Sequence, residues 1–542
     1  MNSKQQILLN KIEYLFKFFF IVGILVVLAL LDEVGKNYII ASFMVFMLIY
    51  LFCGLALPQA FYNVVKVRFQ KQQFKNAKVV FKSTVLYILI LETVVMCVTF
   101  PFVDKMSSFL HTVKAFPYGI GLFLPLLLLV PVNETFRTYY QCYNRRLTIM
   151  ISRALGFLTA LIVGICIYNP LKEYGSKVDA LLKSDCMGNL YASLTIPIAI
   201  LSSQVIVLLY LIWMYLVYKP YIRKQTTNDL TKYNESILGM LPTMAKAHIS
   251  ANIYKVNIYL LVFAAFIFCS FYNIKAQGME NANTSFGILA IVLCVTVLVP
   301  YFVTRAFSLK YILRYRKMLK NEDMRSVKAY LWNRTHKYFM ITIALAIFFM
   351  IMAENVIYIL TGTTSPQYVM HMQILSLAFA LVPLYSLYSM FLNNLGKARS
   401  VLAINYISLF AAVIIMFLLY KIPVIGGYGI SIGIVFYFLI AFVCEFIILE
   451  RECGFNKNIM QLMILPMLSA FVMGIILLLV TKAIGIVGHR LAQFFIMMGL
   501  LIVCVILYMV LLLVLRCVDE EELNGGFWGK IIYKLGDLLH IF

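Results

Sequence analysis

The stretch that decides the fold of this chain is residues 491–515, which read LAQFFIMMGLLIVCVILYMVLLLVL. It contains no charged side chain, and it is longer than the roughly 20 apolar residues that an α-helix needs to cross a bilayer. The whole chain has the same character, since 63% of its 542 residues are hydrophobic and only 13% are charged. An ordinary soluble domain has about 25% charged residues. We therefore expect the bilayer to be the main solvent of this protein.

Other stretches along the chain are also long and apolar enough to span a membrane, and with residues 491–515 they number about fourteen. The sequence therefore predicts an all-α polytopic membrane protein with about fourteen transmembrane helices. The seventh stretch is over-long and interrupted by polar residues, so hydropathy does not fix where its helix begins. The predicted spans are approximately residues 14–31, 38–58, 84–103, 116–136, 149–168, 192–218, 238–272, 286–306, 338–361, 370–394, 400–420, 428–449, 459–481 and 491–515.

Basic residues follow an alternating pattern between these spans. If the N-terminus is cytoplasmic, the connections on the cytoplasmic side hold most of the 46 Lys and Arg, including a dense run from Arg305 to Lys337. The positive-inside rule then predicts that both termini are cytoplasmic. The net charge of +23 is explained by membrane lipid, because anionic headgroups attract basic cytoplasmic loops. We expect no nucleic-acid partner.

Two features of the first half of the chain recur in the second. Leu57-Pro58 ends helix two and Val299-Pro300 ends helix eight, and a basic stretch follows each. A polar and basic turn joins helices four and five at residues 141–146, and another joins helices ten and eleven at residues 394–399. These matches predict two pseudo-symmetric six-helix lobes related by an axis along the membrane normal, plus two extra C-terminal helices. The predicted divisions are residues 1–218 for the N-lobe, 219–237 for a cytoplasmic linker, 238–449 for the C-lobe, and 450–542 for helices thirteen and fourteen with a cytoplasmic tail.

Several short motifs carry a family resemblance. They are Gly54 to Ala60 with the basic residues 74–78 after it, Phe136 to Gln141, Leu392 to Ala398, Gly427 to Gly433, and the tail segment Gly529 to Gly536. In order and in position they resemble the multidrug/oligosaccharidyl-lipid/polysaccharide (MOP) exporter superfamily. The branch they are most similar to is the polysaccharide biosynthesis proteins, which include stage V sporulation protein B and MurJ-like lipid II flippases. The chain departs from that family at Thr138 and Cys142, where the family has glycine. Residues 18–31 of helix one carry no charge, whereas lipid II flippases have basic residues in that helix.

The resemblance implies a flippase rather than an enzyme. Its substrate would be a lipid-linked oligosaccharide or polysaccharide precursor of the undecaprenyl-pyrophosphate type, moved by alternating access from the inner to the outer leaflet of a bacterial cytoplasmic membrane. A MATE-like drug or cation antiporter and a non-transporting scaffold for envelope assembly remain alternatives. The sequence shows no P-loop, no G-x-S-x-G motif and no metal-ligand cluster. We therefore expect no cofactor and consider a gradient of Na⁺ or H⁺ as the source of energy.

Helix seven is the richest candidate for a substrate-binding surface. His248, Asn252 and Lys255 recur at helical spacing and share one face, and Lys246 lies nearby. A stripe of this kind suits the wall of a wet cavity that holds an anionic headgroup, and the resemblance favours that reading because helices one, two, seven and eight line the family's cavity. The alternative is that the helix begins near Ile253. His248 and Lys246 would then lie in the headgroup region, and Lys255 would snorkel.

Four further charged residues are candidates for function. Arg305 at the end of helix eight and Arg137 at the end of helix four could bind a phosphate, although either could instead be a positive-inside anchor. Glu92 in helix three and Glu354 in helix nine are candidates for ion coupling, because carboxylates within spans are rare and usually face a cavity. A structural hydrogen bond between helices is the alternative for each carboxylate.

Overall fold

The computed structural model describes residues 3–109, 117–225, 229–277, 284–321, 323–422, 425, 427–455, 458–486 and 488–518. Within these ranges the chain is all α-helical and contains no strand. The predicted tail segment Gly529 to Gly536 lies outside the described residues. Among the described residues, fourteen helices are long and apolar enough to cross a membrane, which confirms the predicted number of spans and the predicted fold class.

Twenty α-helices make up the described chain. The first ten are α1 (Ser3–Leu30), α2 (Glu33–Cys53), α3 (Leu57–Gln70), α4 (Phe74–Thr99), α5 (Val103–Phe109), α6 (Tyr118–Cys142), α7 (Arg146–Leu182), α8 (Met187–Ser193), α9 (Thr195–Gln225) and α10 (Leu241–Gln277). The second ten are α11 (Thr284–Leu293), α12 (Val299–Lys320), α13 (Met324–Ile351), α14 (Ala353–Thr361), α15 (Pro366–Ser376), α16 (Ala378–Asn394), α17 (Ala398–Tyr420), α18 (Gly429–Cys453), α19 (Leu465–Ile484) and α20 (Arg490–Val514).

The ninth predicted span, residues 338–361, is placed wrongly. The helix begins instead at Met324, where the Asp323 side chain caps it by accepting a hydrogen bond from the Ser326 N–H. It ends at Ile351, and the separate short helix α14 follows. Hydropathy missed this start because the first turns of α13 carry basic residues, which a helix can extend into the headgroup region.

Local backbone features recur at equivalent places in the two halves. Pro58 lies in the first turn of α3, and Pro300 directly follows a π-helical turn, Cys294–Leu298, that joins α11 to α12. The turn from α6 to α7 passes through Asn144, with a φ of 57°, and the turn from α16 to α17 passes through Gly396, with a φ of 82°. Both residues adopt the left-handed conformation that ends a helix tightly. These local features agree with the repeat that the sequence predicts.

The chain divides into two compact units, residues 1–288 and 289–542. This division differs from the predicted one, because α10 lies in the first unit, where it packs on α2, α3 and α4. The sequence had assigned this helix to the second lobe because span order, loop charge and the spacing of the repeated motifs indicated two six-helix copies. The first unit also holds an aromatic cluster in which the rings of Phe81 and Tyr139 stack with centroids 4.3 Å apart. Such packing matters within lipid, where apolar surface alone does not drive helices together.

The predicted linker, residues 219–237, is attached to the turn between α3 and α4. The two guanidinium nitrogens Nε and Nη2 of Arg68 donate to Glu235 over 2.9 and 2.7 Å. The buried amide of Asn76 donates to the Tyr233 carbonyl over 2.9 Å and accepts from the Glu235 N–H over 3.1 Å. The Lys75 N–H, in the first turn of α4, donates to Asp229 over 2.8 Å. The described part of the linker is therefore fixed to the first unit.

Candidate functional site

A network of charged side chains joins α6 and α7 inside the first unit. Glu134 accepts from Arg137 over 2.6 Å, and both of its carboxylate oxygens face Arg153 at 2.7 and 2.8 Å. Arg137 is buried, and its Nε donates to the Ser152 hydroxyl over 2.9 Å. Charges inside a membrane protein are ordinarily paired in this way, because an isolated charge in hydrocarbon is costly.

Helix α1 extends this network. Lys17 and Glu13 lie one turn apart, with Nζ and Oε1 separated by 2.9 Å, and Glu13 is also 3.7 Å from Nε of Arg153. The network therefore contains three cations and two carboxylates, so one positive charge is not balanced within it. The side chains of Lys17 and Glu134 keep 24% and 26% of their surface exposed. Both side chains therefore remain partly open to the surroundings of the protein.

Sequence reasoning found only part of this network. Of its members, the sequence analysis singled out Arg137 alone. The signal was present in the spacing, since Glu13 and Lys17 are four residues apart and Glu134 and Arg137 are three apart. Opposite charges at these spacings meet on one face of a helix.

The polar stripe on helix seven lies on a continuous helix. Because α10 begins at Leu241 and not near Ile253, the i, i+4, i+7 spacing of His248, Asn252 and Lys255 places them on one face, as predicted. His248 is buried, and its Nδ1 lies 3.3 Å from the Tyr87 hydroxyl on α4. Asn252 and Lys255 are half-buried. Lys246 is exposed and does not join this face.

Several buried polar atoms around α10 have no hydrogen-bond partner among the described residues. They include Nε2 of His248, Oδ1 of Asn252 and both amide atoms of Asn257. A buried amide or imidazole without a partner costs about 1–3 kcal/mol, so such groups usually mark a place that water or a ligand occupies. At Nε2 of His248 and Oδ1 of Asn252, the stripe can therefore accept a polar ligand without breaking protein contacts.

Glu92 lies on α4, the same helix as Tyr87. Its side chain is fully buried, and neither carboxylate oxygen has a hydrogen-bond partner among the described residues. An unpaired carboxylate is unfavourable in an apolar interior, and such a group takes up a proton or a cation instead. This environment fits the ion-coupling role that the sequence suggested for Glu92.

The other two candidates are placed differently. Glu354 is exposed in the first turn of α14, where a carboxylate stabilises the helix N-terminus. This position does not favour a buried coupling site. Arg305, in the second unit, is half-buried, and its guanidinium lies over the ring of Tyr301, 5.2 Å from the centroid. Arg305 and the α10 stripe belong to different units.

The second unit has a buried carboxylate of its own. Glu445 on α18 is fully buried, and its Oε1 accepts from the Ser389 hydroxyl on α16 over 2.6 Å. Its Oε2 and the hydroxyls of Tyr388 and Tyr437 have no hydrogen-bond partner among the described residues. Among the described residues, Glu445 therefore joins Glu92 as a buried carboxyl group that has an oxygen without a hydrogen-bond partner. The sequence analysis did not single out Glu445.

Comparison with known proteins identifies the fold. The sequence matches no protein-family model and no curated protein. Solved structures do match: the lipid II flippase MurJ in an inward closed conformation has a TM-score of 0.61 and 12% identity, over 92% of this chain and 97% of that one. An inward-facing multidrug resistance MATE family transporter of the MOP superfamily has a TM-score of 0.58 and 16% identity, over 82% and 94%.

A third match is a MOP superfamily transporter from Pyrococcus furiosus, described as having a binding pocket of reverse polarity, with a TM-score of 0.57 and 16% identity over 83% and 95%. The chain shares the fold of these three transporters. The resemblance that the sequence motifs suggested is thus confirmed for the fold. The proteins of known structure that share this MOP fold include both drug transporters and a lipid flippase, so the fold by itself leaves the substrate open.

Proposed function

We propose that this protein is a multi-pass membrane transporter that flips a lipid-linked saccharide. The substrate would carry its sugar on a polyprenyl pyrophosphate, and it would move from the cytoplasmic to the outer leaflet of a bacterial cytoplasmic membrane. Both termini would be cytoplasmic, as the distribution of Lys and Arg predicts. In this proposal the protein makes and breaks no covalent bond.

The observation that carries the proposal is the excess of positive charge in the network of the first unit. Among the described residues, the carboxylates that pair with Lys17, Arg137 and Arg153 are those of Glu13 and Glu134. A pyrophosphate would balance that excess, because ammonium and guanidinium groups form strong charge-assisted hydrogen bonds with phosphate oxygens. Lys17 is the best placed of the three to bind it, since its partner Glu13 is shared with Arg153 and its side chain is partly exposed.

The stripe on α10 supplies the second set of polar groups. Lys255 adds a further half-buried cation, and Asn252 adds an amide oxygen with no hydrogen-bond partner. A hydrated headgroup that leaves water needs replacement hydrogen bonds for its sugar hydroxyls and its phosphates. In the proposed mechanism these residues replace the headgroup's water, and the polyprenyl tail stays in lipid.

Energy for export can come from the membrane itself. An inside-negative potential favours outward movement of an anion by about 2.3 kcal/mol per charge per 100 mV. Glu92 could add proton or sodium coupling, because its unpaired carboxyl group needs a bound proton or cation while it is buried. Release of that ion on one side of the membrane would then bias the conformational equilibrium.

A MATE-like antiporter of drugs or cations is the second candidate function. Glu92 and Glu445 favour it, because each is a buried carboxyl group with at least one oxygen that has no described partner. A cationic substrate could replace the proton on such a group. The two proposals differ in the sign of the ligand charge, and that difference can be measured directly.

Ligand-induced thermal stabilisation separates the two candidates. The purified protein would be titrated with farnesyl pyrophosphate, farnesol and the cation tetraphenylphosphonium. The proposal expects pyrophosphate to raise Tm, while farnesol and the cation raise it little. Lys17→Gln and Lys255→Gln should each weaken this stabilisation. Lys246→Gln is the matched control, because it removes an equal charge from an exposed position on the same helix as Lys255.

Stabilisation by tetraphenylphosphonium without stabilisation by pyrophosphate would contradict the flippase proposal and support the antiporter. If the lysine variants bound pyrophosphate as well as the control did, the two lysines would not form its site.

A further inference from the structure

We propose that Arg314 and Arg334 form a binding site for the phosphate of an anionic glycerophospholipid, beside the turn between α12 and α13. This site lies in the second unit and has no part in the proposed transport mechanism. It is built from two guanidinium groups and two tyrosine rings, and it does not depend on the identity of the transported substrate.

The four side chains form an alternating ladder. The guanidinium of Arg334 lies over the ring of Tyr311 at 4.7 Å and over that of Tyr330 at 5.3 Å. The guanidinium of Arg314 lies over the same Tyr330 ring at 5.4 Å. The Tyr330 hydroxyl donates to the Tyr311 carbonyl over 3.3 Å, which holds α12 and α13 together at this level. The rings therefore fix both cations through cation–π contacts.

No described carboxylate forms an ion pair with Arg314 or Arg334. In the first unit, by contrast, Arg68, Arg137 and Arg153 each have a carboxylate partner within 3 Å. Asp323 lies in the nearby turn, but its side chain accepts from the Ser326 N–H and caps α13. Two like charges on one aromatic ring repel each other, and an anion bound beside them would relieve that repulsion.

Arg334 also supplies several hydrogen-bond donors. Its side chain is half-buried, and a guanidinium carries five N–H donors in a fixed fork. A guanidinium in a fixed orientation with free donors matches a phosphate group, which offers several acceptor oxygens in a small volume. The geometry thus provides both the charge and the donors that a phosphate needs.

The surface of α12 indicates that the phosphate belongs to a lipid. Val303 and Phe307 are 45% and 43% exposed, and they lie on the same helical face as Arg314. This face is therefore apolar over its first turns and basic near its end. A lipid with acyl chains along Val303 and Phe307 would place its phosphate at Arg314. Each basic residue near an anionic headgroup contributes substantially to lipid binding.

Lipid binding to the full chain in neutral phosphatidylcholine nanodiscs tests the proposal. A fluorescent phosphatidylglycerol would be titrated into wild type, the double variant Arg314→Gln/Arg334→Gln and the control Arg325→Gln. Arg325 is exposed near the same turn and has no aromatic contact among the described residues. The double variant should bind about tenfold more weakly or worse, and Arg325→Gln should bind like wild type.

Two further ligands identify the source of the phosphate. Inorganic phosphate and farnesyl phosphate would be used as competitors of the fluorescent lipid. The proposal expects neither to displace it at concentrations where unlabelled phosphatidylglycerol does. Equal affinity of the double variant and the Arg325→Gln control would overturn the site. Efficient displacement by inorganic phosphate or by farnesyl phosphate would overturn its assignment to a glycerophospholipid.

Tyrosine variants check that the rings position the cations. Tyr330→Phe keeps the ring and should retain lipid affinity, whereas Tyr330→Leu removes it and should weaken binding several-fold. Thermal unfolding of both variants would show that each is folded. If Tyr330→Leu is folded and binds lipid with unchanged affinity, the ladder has no role in binding.

Discussion

Arg153 on α7 contacts both carboxylate oxygens of Glu134 on α6, with N–O distances of 2.7 and 2.8 Å. This bidentate pair connects two neighbouring helices. Arg137 also pairs with Glu134, and Glu13 lies close to Arg153. The bidentate pair is the centre of the charged network in the first unit. Planar two-point contacts fix orientation as well as distance. This pair therefore also positions the other charged side chains of the network.

Removing the carboxylate should destabilise the first unit. Glu134→Ala leaves Arg137 and Arg153 without their shared partner, and Arg137 is almost completely buried. Breaking a fully buried pair costs about 3–5 kcal/mol. Because Glu134 is partly exposed, we expect a loss of about 2 kcal/mol in the free energy of unfolding, measured by denaturation in detergent. Glu354→Ala is the control, and its exposed carboxylate should change stability by less than about 0.5 kcal/mol. Equal stability of the two variants would show that the network adds nothing.

Glu92→Gln should preserve the fold and change only coupling. Glutamine is neutral and has nearly the shape of a protonated glutamate, so it mimics the ion-loaded state of this buried side chain. Transport in proteoliposomes should then lose its dependence on a proton or sodium gradient, while Tm stays near that of wild type. Glu354→Gln serves as the matched control and should retain full dependence. If Glu92→Gln transport still follows the gradient, the coupling group lies elsewhere.

The attachment of the linker should depend on Asn76. Its buried amide makes two hydrogen bonds to the backbone of residues 233 and 235. Asn76→Ala removes both, and we expect a cost of about 1–3 kcal/mol together with faster proteolysis of residues 229–237. Lys78→Ala, two residues further along α4, is a suitable comparison because no linker hydrogen bond is assigned to its side chain. An unchanged cleavage rate in Asn76→Ala would mean that the linker is held by other contacts.

The linker contact at Asp229 should weaken in acid. Burial opposes ionisation of this carboxyl group, but hydrogen bonds from the Thr231 side chain and the Lys75 N–H outweigh it and hold the pKa of Asp229 below its ordinary value. A lowered folded-state pKa contributes stability that is present above the unfolded pKa of about 3.9 and is lost as pH falls through the folded pKa. Asp229→Asn should therefore reduce the acid-dependent loss of stability that occurs as pH falls below about 4. A variant with an unchanged pH profile would contradict this assignment.

The sequence predicted the spans well because hydropathy reports directly on the lipid solvent. Each of the fourteen predicted stretches overlaps a helix of sufficient length, and the face shared by His248, Asn252 and Lys255 followed from helical spacing. The boundaries were less accurate. The start of α13 at Met324 was missed because its basic first turns resemble a loop in a hydropathy profile.

The charged network was mostly missed because its members come from three helices, and α1 is distant in sequence from α6 and α7. Lys17 and Arg153 lie near predicted cytoplasmic segments, where a positive charge needs no special explanation. Only the packing of α1, α6 and α7 brings them to Glu134. The position of α10 in the first unit was missed for a similar reason. It depends on contacts with α3, which no local sequence pattern encodes.

Transport by the reconstituted protein tests the central claim most directly. A fluorescent disaccharide on an undecaprenyl pyrophosphate would be placed in the inner leaflet of proteoliposomes in which the protein has a defined orientation. Accessibility of the sugar to an added lectin would report its movement to the other leaflet. We expect translocation with wild type, much slower translocation with Lys17→Gln, and wild-type rates with Lys246→Gln. If wild type leaves this substrate in place and instead expels tetraphenylphosphonium against a proton gradient, the protein transports cations, and the proposed flippase activity is wrong.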